Sequence, residues 1–261
     1  MKTITVLTYN RPDYLKLTLE ALSRCRGLLQ YEVFVSVDDA PKQERTVLLA
    51  KAFGCVFEPK HYHVQELSER LGINQHPYWA YNSAFGNGSD FNVVFEDDVV
   101  PAPDALELCD WYYEHPERDR YACLCMHSHS RIQDDRPLSM YEEMSFDPWG
   151  WAFTRQAWET IFKPNWTSHP NGWDWSVHFT IKKNGLKVLR PPLSRTTNIG
   201  REQGTNMPPE YWDKWLDGLV ASDGTHGREY VIDSRLPEGY ATECGMEPWV
   251  KENIERRQEQ K

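Results

Sequence analysis

Phe91-Asn92-Val93-Val94-Phe95-Glu96-Asp97-Asp98-Val99-Val100-Pro101-Ala102-Pro103-Asp104 is the stretch that decides the reading of the fold. Its apolar beginning, Val93-Val94-Phe95, has the character of a strand buried on both faces. The run then breaks into three consecutive carboxylates. Like charges at a buried strand end repel one another and resist desolvation, so a compensating cation is expected. Carboxylates suit hard divalent ions such as Mn2+ or Mg2+. Ligands of open α/β sheets collect beyond the carboxyl ends of the strands, which is where these acids fall. An acidic turn in an acidic protein is the plainer alternative. The buried strand before the acids and the Pro-x-Pro-Asp opening of a helix after them favour a metal site.

Upstream, Ile4 to Thr8 reads as a first strand that meets Tyr9-Asn10-Arg11-Pro12. Pro12 suits the first helical position, and Leu15, Leu19 and Leu22 follow at helical spacing. Arg11 therefore sits in a turn at a helix N-terminus, where a fixed positive charge can meet an anion. Val33 to Val37 is a second buried strand ending at Asp38-Asp39. Glu44 to Phe53 reads as a helix closed by Gly54, and Cys55-Val56-Phe57 as a short third strand. This alternation predicts a parallel nucleotide-binding half. No Gly-x-Gly-x-x-Gly and no Gly-x-x-x-x-Gly-Lys loop is present, which argues against dinucleotide and P-loop folds. His61-Tyr62-His63 reads as part of a loop without a third metal ligand. Helices are predicted over 74–85 and 103–115, and a strand over 121–126.

Beyond Asp147 the composition changes: Trp149, Trp151, Trp158, Trp166, Trp173 and Trp175 crowd one stretch. Most such rings build core, although ring faces also suit sugars and bases. Asp174 stands between two of them, and a partly desolvated carboxylate acquires a raised pKa useful to a general base. A cap for a helix starting near Trp175 explains the same residue. The polar, glycine-punctuated run around 198–206 reads as a lid. An amphipathic helix around 211–220 and a charged one over 249–261 complete the chain.

The 261 residues carry a net charge of −10, which weighs against non-specific nucleic-acid binding. The six cysteines include no Cys-x-x-Cys, so free thiols in a reducing compartment are expected. The opening residues read as a strand rather than a signal peptide, and no apolar run reaches membrane-spanning length. A cytoplasmic location is the expectation.

Several short blocks, taken in order, resemble one family. They are Thr8-Tyr9-Asn10-Arg11, Val35-Ser36-Val37-Asp38, Val94-Phe95-Glu96-Asp97-Asp98 with Ala102-Pro103-Asp104, Gly150-Trp151, Trp173-Asp174, and Arg190-Pro191 with Ser194-Arg195-Thr196. Together they are similar to the catalytic domain of N-acetylglucosaminyltransferase I and its relative acting on O-linked mannose, which are inverting glycosyltransferases of the GT-A fold. The resemblance runs from about residue 4 to about residue 205. It implies one α/β GT-A domain over 1–261: a Rossmann-like nucleotide-sugar and metal half (1–100), an acceptor half (101–205) and a C-terminal helical extension (206–261).

The resemblance also implies roles. Arg11, Asp38 and His76 would hold the nucleotide, Glu96 and Asp97 would contact donor sugar and ribose, and Asp98 would ligate Mn2+ or Mg2+. Asp174 would be the catalytic base, with Trp151, Trp173, Arg195 and Arg201 as weaker candidates for acceptor binding or the lid. The chain departs from the family where Trp175 replaces a second acid, and where the membrane anchor of eukaryotic members has no counterpart. The implied activity is transfer of a sugar, GlcNAc in the family, from a UDP-sugar to a hydroxyl of a glycan or other acceptor. Two alternatives stay open: glycosylation of hydroxymethylated bases in DNA, and a non-catalytic nucleotide-sugar-binding module.

Overall fold

The computed structural model describes residues 1–57, 61–129, 136–202 and 209–233. The chain begins with β1 (Lys2–Thr8), α1 (Pro12–Leu22), β2 (Tyr31–Val37), α2 (Glu44–Phe53), β3 (Tyr62–Glu66), α3 (Gly72–Gly86) and β4 (Phe91–Glu96). β1 pairs in parallel with β2 and β4, and β2 in parallel with β3. β5 (Val99–Pro101), α4 (Ala105–Glu114), β6 (Leu124–Cys125), β7 (Ser139–Glu143), β8 (Trp151–Thr154) and the single turn α5 (Arg155–Ala157) follow. The described part closes with α6 (Trp173–Lys183), β9 (Val188–Arg190), β10 (Thr196–Asn198), α7 (Pro209–Trp215) and β11 (Val231–Ile232).

Among the described residues nine strands form one sheet in the order β11-β7-β9-β6-β8-β4-β1-β2-β3. The sheet is mixed, because β8 runs antiparallel to both β4 and β6. Strand alternation divides the apolar side chains between two cores. Ile4, Val6, Val93 and Phe95 pack with Leu15 and Leu19 of α1 and with Leu106 and Leu108 of α4. Leu7 and Val94 pack on the opposite face with Tyr81 and Phe85 of α3 and with Trp173 and Val177 of α6. The parallel strands are thus covered on both faces, as such strands require. Polar side chains that enter this centre bond one another: Thr3 and Thr5 each donate to Asn92 Oδ1 at 2.9 Å.

Three sequence expectations change. The third strand is Tyr62–Glu66, not Cys55–Phe57, whose amides instead close the turn after α2 by bonding back to Ala52 and Phe53. His63 consequently lies on a sheet strand, stacked on Phe34 with ring centroids 4.8 Å apart. Of the expected strand 121–126 only Leu124–Cys125 joins the ladder, though Ala122 and Met126 make further backbone bonds to Lys187 and Gly150. The helix expected at 211–220 is the shorter Pro209–Trp215. The helix expected over 249–261 and the lid residues 203–206 lie outside the described residues.

The tryptophan-rich stretch is mostly core. Trp151 is fully buried, stacked on Phe153 at 4.1 Å and edge-on to Tyr81 at 5.7 Å. Trp173 and Trp166 stack at 5.8 Å. Arg195 is also fully buried, pairing with Asp104 at 3.0 Å and donating to the carbonyl oxygens of Leu193 and Pro137. A guanidinium with no accessible surface cannot swing as a lid or touch an acceptor. Trp151 and Arg195, expected as weaker acceptor or lid candidates, are both fully buried and do not line the main cavity. Removing one partner of a buried pair leaves the other charge uncompensated, at a cost of roughly 3–5 kcal/mol. Arg195→Ala is therefore expected to lower the thermal midpoint strongly, as measured by calorimetry. A near-wild-type midpoint would refute this role.

Candidate active site

β1, β2 and β4 end side by side, and the turns beyond them build a cavity of about 210 Å3. Asn10 and Asp39 follow β1 and β2 in left-handed conformations, φ 54° and 53°. Short side chains that bond their own backbone tolerate this region best. The sharp turn at Asn10 carries Arg11 back across the end of β4. Its guanidinium pairs with Asp97 and, at 2.6 Å, with Asp98 Oδ2. Burial works against the guanidinium charge, but Asp97, Asp98 and Glu96 together outweigh it and hold Arg11 protonated.

The three adjacent acids divide their work. Asp97 is fully buried and does not face the cavity; it accepts from Thr8 Oγ1 at 2.8 Å and the Tyr9 amide at 3.3 Å. Asp97, expected to contact the donor, has its oxygens turned to the β1 turn and Arg11. Glu96 and Asp98 do line the cavity. Burial, reinforced by Asp98, pushes the Glu96 carboxyl up to about 8. Asp98 Oδ1 is buried and has no hydrogen-bond partner among the described residues.

That orphaned oxygen bears on the expected metal. Among the described residues no three His, Cys, Asp or Glu side chains gather into a complete ligand set. Mg2+-like ions, however, commonly take only one or two carboxylates and complete their shell with water and substrate phosphate oxygens. Asp98, which lines a cavity of surplus negative charge and keeps one buried oxygen without a hydrogen-bond partner, fits such a shared site and does not fit a protein-only cage. The pairing of β5 with β10 brings the chain back over this point: Ile199 donates its amide to Asp98 O at 2.8 Å. A Cβ on Gly200 would collide with the Asp98 carboxylate, so only glycine leaves this approach open.

Asp38 and His76 also line the cavity. Both Asp38 oxygens accept backbone amides at the start of α3, from Leu71 at 2.7 Å and Gly72 at 2.9 Å. Each oxygen retains a lone pair. His76 is buried, bonded through Nε2 to Ser36 Oγ at 2.8 Å, and burial lowers its pKa to about 4. The imidazole is therefore neutral at physiological pH.

Asp174 faces the same cavity from the other half of the sheet. Helix α6 begins at Trp173, two residues earlier than the capping alternative required, so Asp174 lies within the first turn and Gly172 is the N-cap. Gly172 has φ 123°, and a Cβ there would sit 2.6 Å from Asp174 Oδ1. Burial raises the Asp174 carboxyl to about 7, while its own amide and that of Trp175 oppose the shift. Trp173 anchors this end by donating Nε1 to Glu96 Oε1 at 3.3 Å. The cavity thus joins Arg11, Asp38, His76, Glu96, Asp98, Trp173 and Asp174 and excludes Asp97, Trp151 and Arg195. Arg201 is partly exposed and pairs with Asp213 at 2.6 Å, beside Gly200 rather than within the cavity wall.

The sequence reading missed Arg70. It lines the cavity with its guanidinium 4.5 Å above the Tyr9 ring and makes no ion pair among the described residues. The signal was an isolated arginine in a polar segment, which carries no pattern to read.

No known protein-family profile matches the chain. Several solved structures share its fold. The mannosyltransferase PcManGT from Pyrobaculum calidifontis, in complex with GDP-Man and Mn2+, aligns at TM-score 0.54 and 20% identity, covering 78% of this chain and 58% of its own. S. aureus TarS, residues 1–349, aligns at TM-score 0.55 and 14% identity over 75% of this chain and 59% of its own. TarS in complex with UDP-GlcNAc aligns at TM-score 0.55 and 12% identity. The chain spans about three-fifths of the length of these structures. The fold is the GT-A fold, as expected from the sequence. No helix among the described residues is long and apolar enough to cross a membrane.

A cavity walled by Asp38, Glu96, Asp98 and Asp174 admits an anion only through its cations. Arg11 is engaged by two carboxylates, which leaves Arg70 as the more adaptable one. Arg70→Ala is expected to leave stability within about 0.5 kcal/mol, as exposed positions do, while weakening pyrophosphate or UDP binding measured by calorimetry. Unchanged affinity would exclude Arg70 from the anion site.

Proposed function

We propose that the chain is a metal-dependent, inverting glycosyltransferase that moves a sugar from a UDP-sugar onto an acceptor hydroxyl. The observation that carries this reading is the shared cavity: an acid cluster with an orphaned carboxylate oxygen on one wall, and an isolated carboxyl with a pKa near neutrality on another. A nucleotide diphosphate brings negative charge that Asp98 would repel. A divalent ion held by Asp98 and the diphosphate oxygens would remove that repulsion and act as Lewis acid toward the leaving group.

The chain's own residues then have definite tasks. Arg11 and Arg70 would supply fixed positive charge to the diphosphate. Neutral His76 and the remaining lone pairs of Asp38 would meet the nucleoside, the Asp38 carboxylate accepting the imide proton of uracil. Glu96, held by Trp173, would face the donor sugar. Asp174 would take the proton of the attacking hydroxyl from the side opposite the diphosphate, as single displacement with inversion requires. GlcNAc is the proposed sugar, in keeping with the family resemblance of the motif blocks and with UDP-GlcNAc in one TarS structure of the same fold. The net charge of −10 disfavours DNA as acceptor.

Two measurements test the reading. Asp98→Ala removes a metal-facing oxygen without altering β4, so Mn2+-dependent UDP binding is expected to disappear while the thermal midpoint holds. Metal-independent UDP affinity in the wild type would contradict the metal role. For the base, the proton-accepting form of Asp174 predominates only above its pKa of about 7. The transfer rate is therefore expected to fall as pH drops below that value, about tenfold per unit, and to level off above it. Asp174→Asn should lower the rate roughly 100- to 10,000-fold and abolish this limb, with donor affinity preserved. An active Asp174→Asn enzyme would sink the mechanism.

A further inference from the structure

The turn after β1 serves two cavities. Tyr9 and Arg11 line the main one, whereas Asn10, Pro12 and Asp13 line a separate cavity of about 240 Å3 whose remaining wall is the start of α2. Two helices, α1 of 11 residues and α2 of 10, therefore begin at one cavity. Neither has a side-chain cap: Arg11 and Gln43 hold the N-cap positions without bonding the first turn. The first-turn amides of both helices lack intrahelical acceptors, and the helix dipoles add partial positive charge there. Lys42 and Arg45 contribute two exposed cations, paired with Asp39 at 3.1 Å and Asp13 at 2.6 Å. A second observation is independent of the helix ends. Gln43, also on the cavity wall, is only 6% exposed, yet its side-chain oxygen has no hydrogen-bond partner among the described residues. A buried carboxamide left unbonded is costly and rare, so this one points to an occupant. Thr46, buried on the same wall, brings a hydroxyl beside it.

We propose that this cavity binds a phosphate group, at a site separate from the one assigned to the nucleotide sugar and independent of that reading. An oxyanion answers both the free first-turn amides and the charges of Lys42 and Arg45. Gln43 and Thr46 narrow the class. Carboxamide and hydroxyl each offer acceptors as well as donors, so the occupant must carry hydrogens to donate beside its anionic oxygens. Hydrogen phosphate has both on one tetrahedral centre, and a sugar phosphomonoester has them on its phosphate and hydroxyls. A simple carboxylate lacks the donor. Two acids, Asp13 and Glu44, stand on the same wall and oppose an anion. Acids in a first turn also complement the helix dipole, which accounts for their presence. Asp13 competes directly with the ligand for Arg45. The net charge of −10 favours a small free anion over a polyanionic strand.

The test titrates the full chain by calorimetry with inorganic phosphate and, separately, with glucose 1-phosphate, in the absence of Mn2+ and nucleotide. Saturable binding of at least one probe is expected. Lys42→Ala combined with Arg45→Ala, both at exposed positions that folding tolerates, should weaken that binding roughly 10-fold. Asp13→Asn releases Arg45 and should strengthen it roughly 2- to 5-fold, a gain that a purely structural role for these residues does not produce. Arg70→Ala, in the main cavity, should leave it unchanged. Tighter binding of glucose 1-phosphate identifies the occupant as a phosphomonoester and tighter binding of phosphate identifies it as the free anion; either supports the proposal. No saturable binding of either probe overturns it, as does an affinity that the Lys42 and Arg45 double variant leaves untouched. Binding lost in Arg70→Ala alone also overturns it, because the anion then lies in the main cavity. Absence of UDP binding would count against the glycosyltransferase reading and leave this result standing.

Discussion

One guanidinium held between two adjacent carboxylates governs this molecule. Arg11 meets both Asp97 and Asp98, and its position follows from the β1 turn, where left-handed Asn10 and the helix-starting Pro12 fix the chain on either side. Without that charge three successive acids could not end a strand as buried as β4. Even with it the cluster is under-neutralised, because one cation faces three acids. The structure relieves the remainder by favouring a proton on Glu96, whose carboxyl rises to about 8. A proton is a provisional answer to surplus charge. A divalent ion would answer it more fully, and its own field would draw the neighbouring carboxyls back toward ionisation.

The second constraint is that the site belongs to neither half of the sheet. Arg11, Asp38 and the acids come from the ends of parallel strands, while Asp174 comes from α6, held by the aromatic core behind β8. Two ties align these parts. Trp173 donates to Glu96 across the cavity, and the β5–β10 ladder returns Ile199 and Gly200 to Asp98. The buried Arg195–Asp104 pair stands directly behind that ladder, since Arg195 precedes β10 and Asp104 opens α4. Rigid supports of this kind fix reacting groups within the tolerances that positional catalysis needs.

Much of this was legible in the sequence because it rests on local pattern. A buried apolar run interrupted by acids can end only at a charged site, and Arg11 beside Pro12 can lie only in a helix-opening turn. What sequence could not separate was whether a polar residue in such a motif meets a ligand or another part of the protein. Asp97 and Arg195 have the same chemistry as Asp98 and Arg11, yet their partners are Thr8 and Asp104, which lie far off in the chain. Cys55-Val56-Phe57 failed differently. Its apolar character resembles a strand, but strand identity depends on a neighbour to pair with, and β2 pairs instead with Tyr62–Glu66.

Tryptophan is the residue whose composition says least, since a ring serves a core and a sugar equally well. Helical phase decides between them. On α6, Trp173, Val177 and Ile181 recur every fourth residue and belong to the core on the α3 face of the sheet. Trp175 and Phe179 recur with the same spacing but are displaced by two residues, about 200° around the axis at 100° per residue. One stripe is fixed against Tyr81 and Trp151, and the other runs from the cavity wall toward solvent. Asp174 falls between the stripes in sequence, in the first turn where free amides face it. The helix thus holds its inner face rigid while its first turn sets Asp174 at the cavity wall, so the same regular spacing that builds the core also sets the geometry of the site.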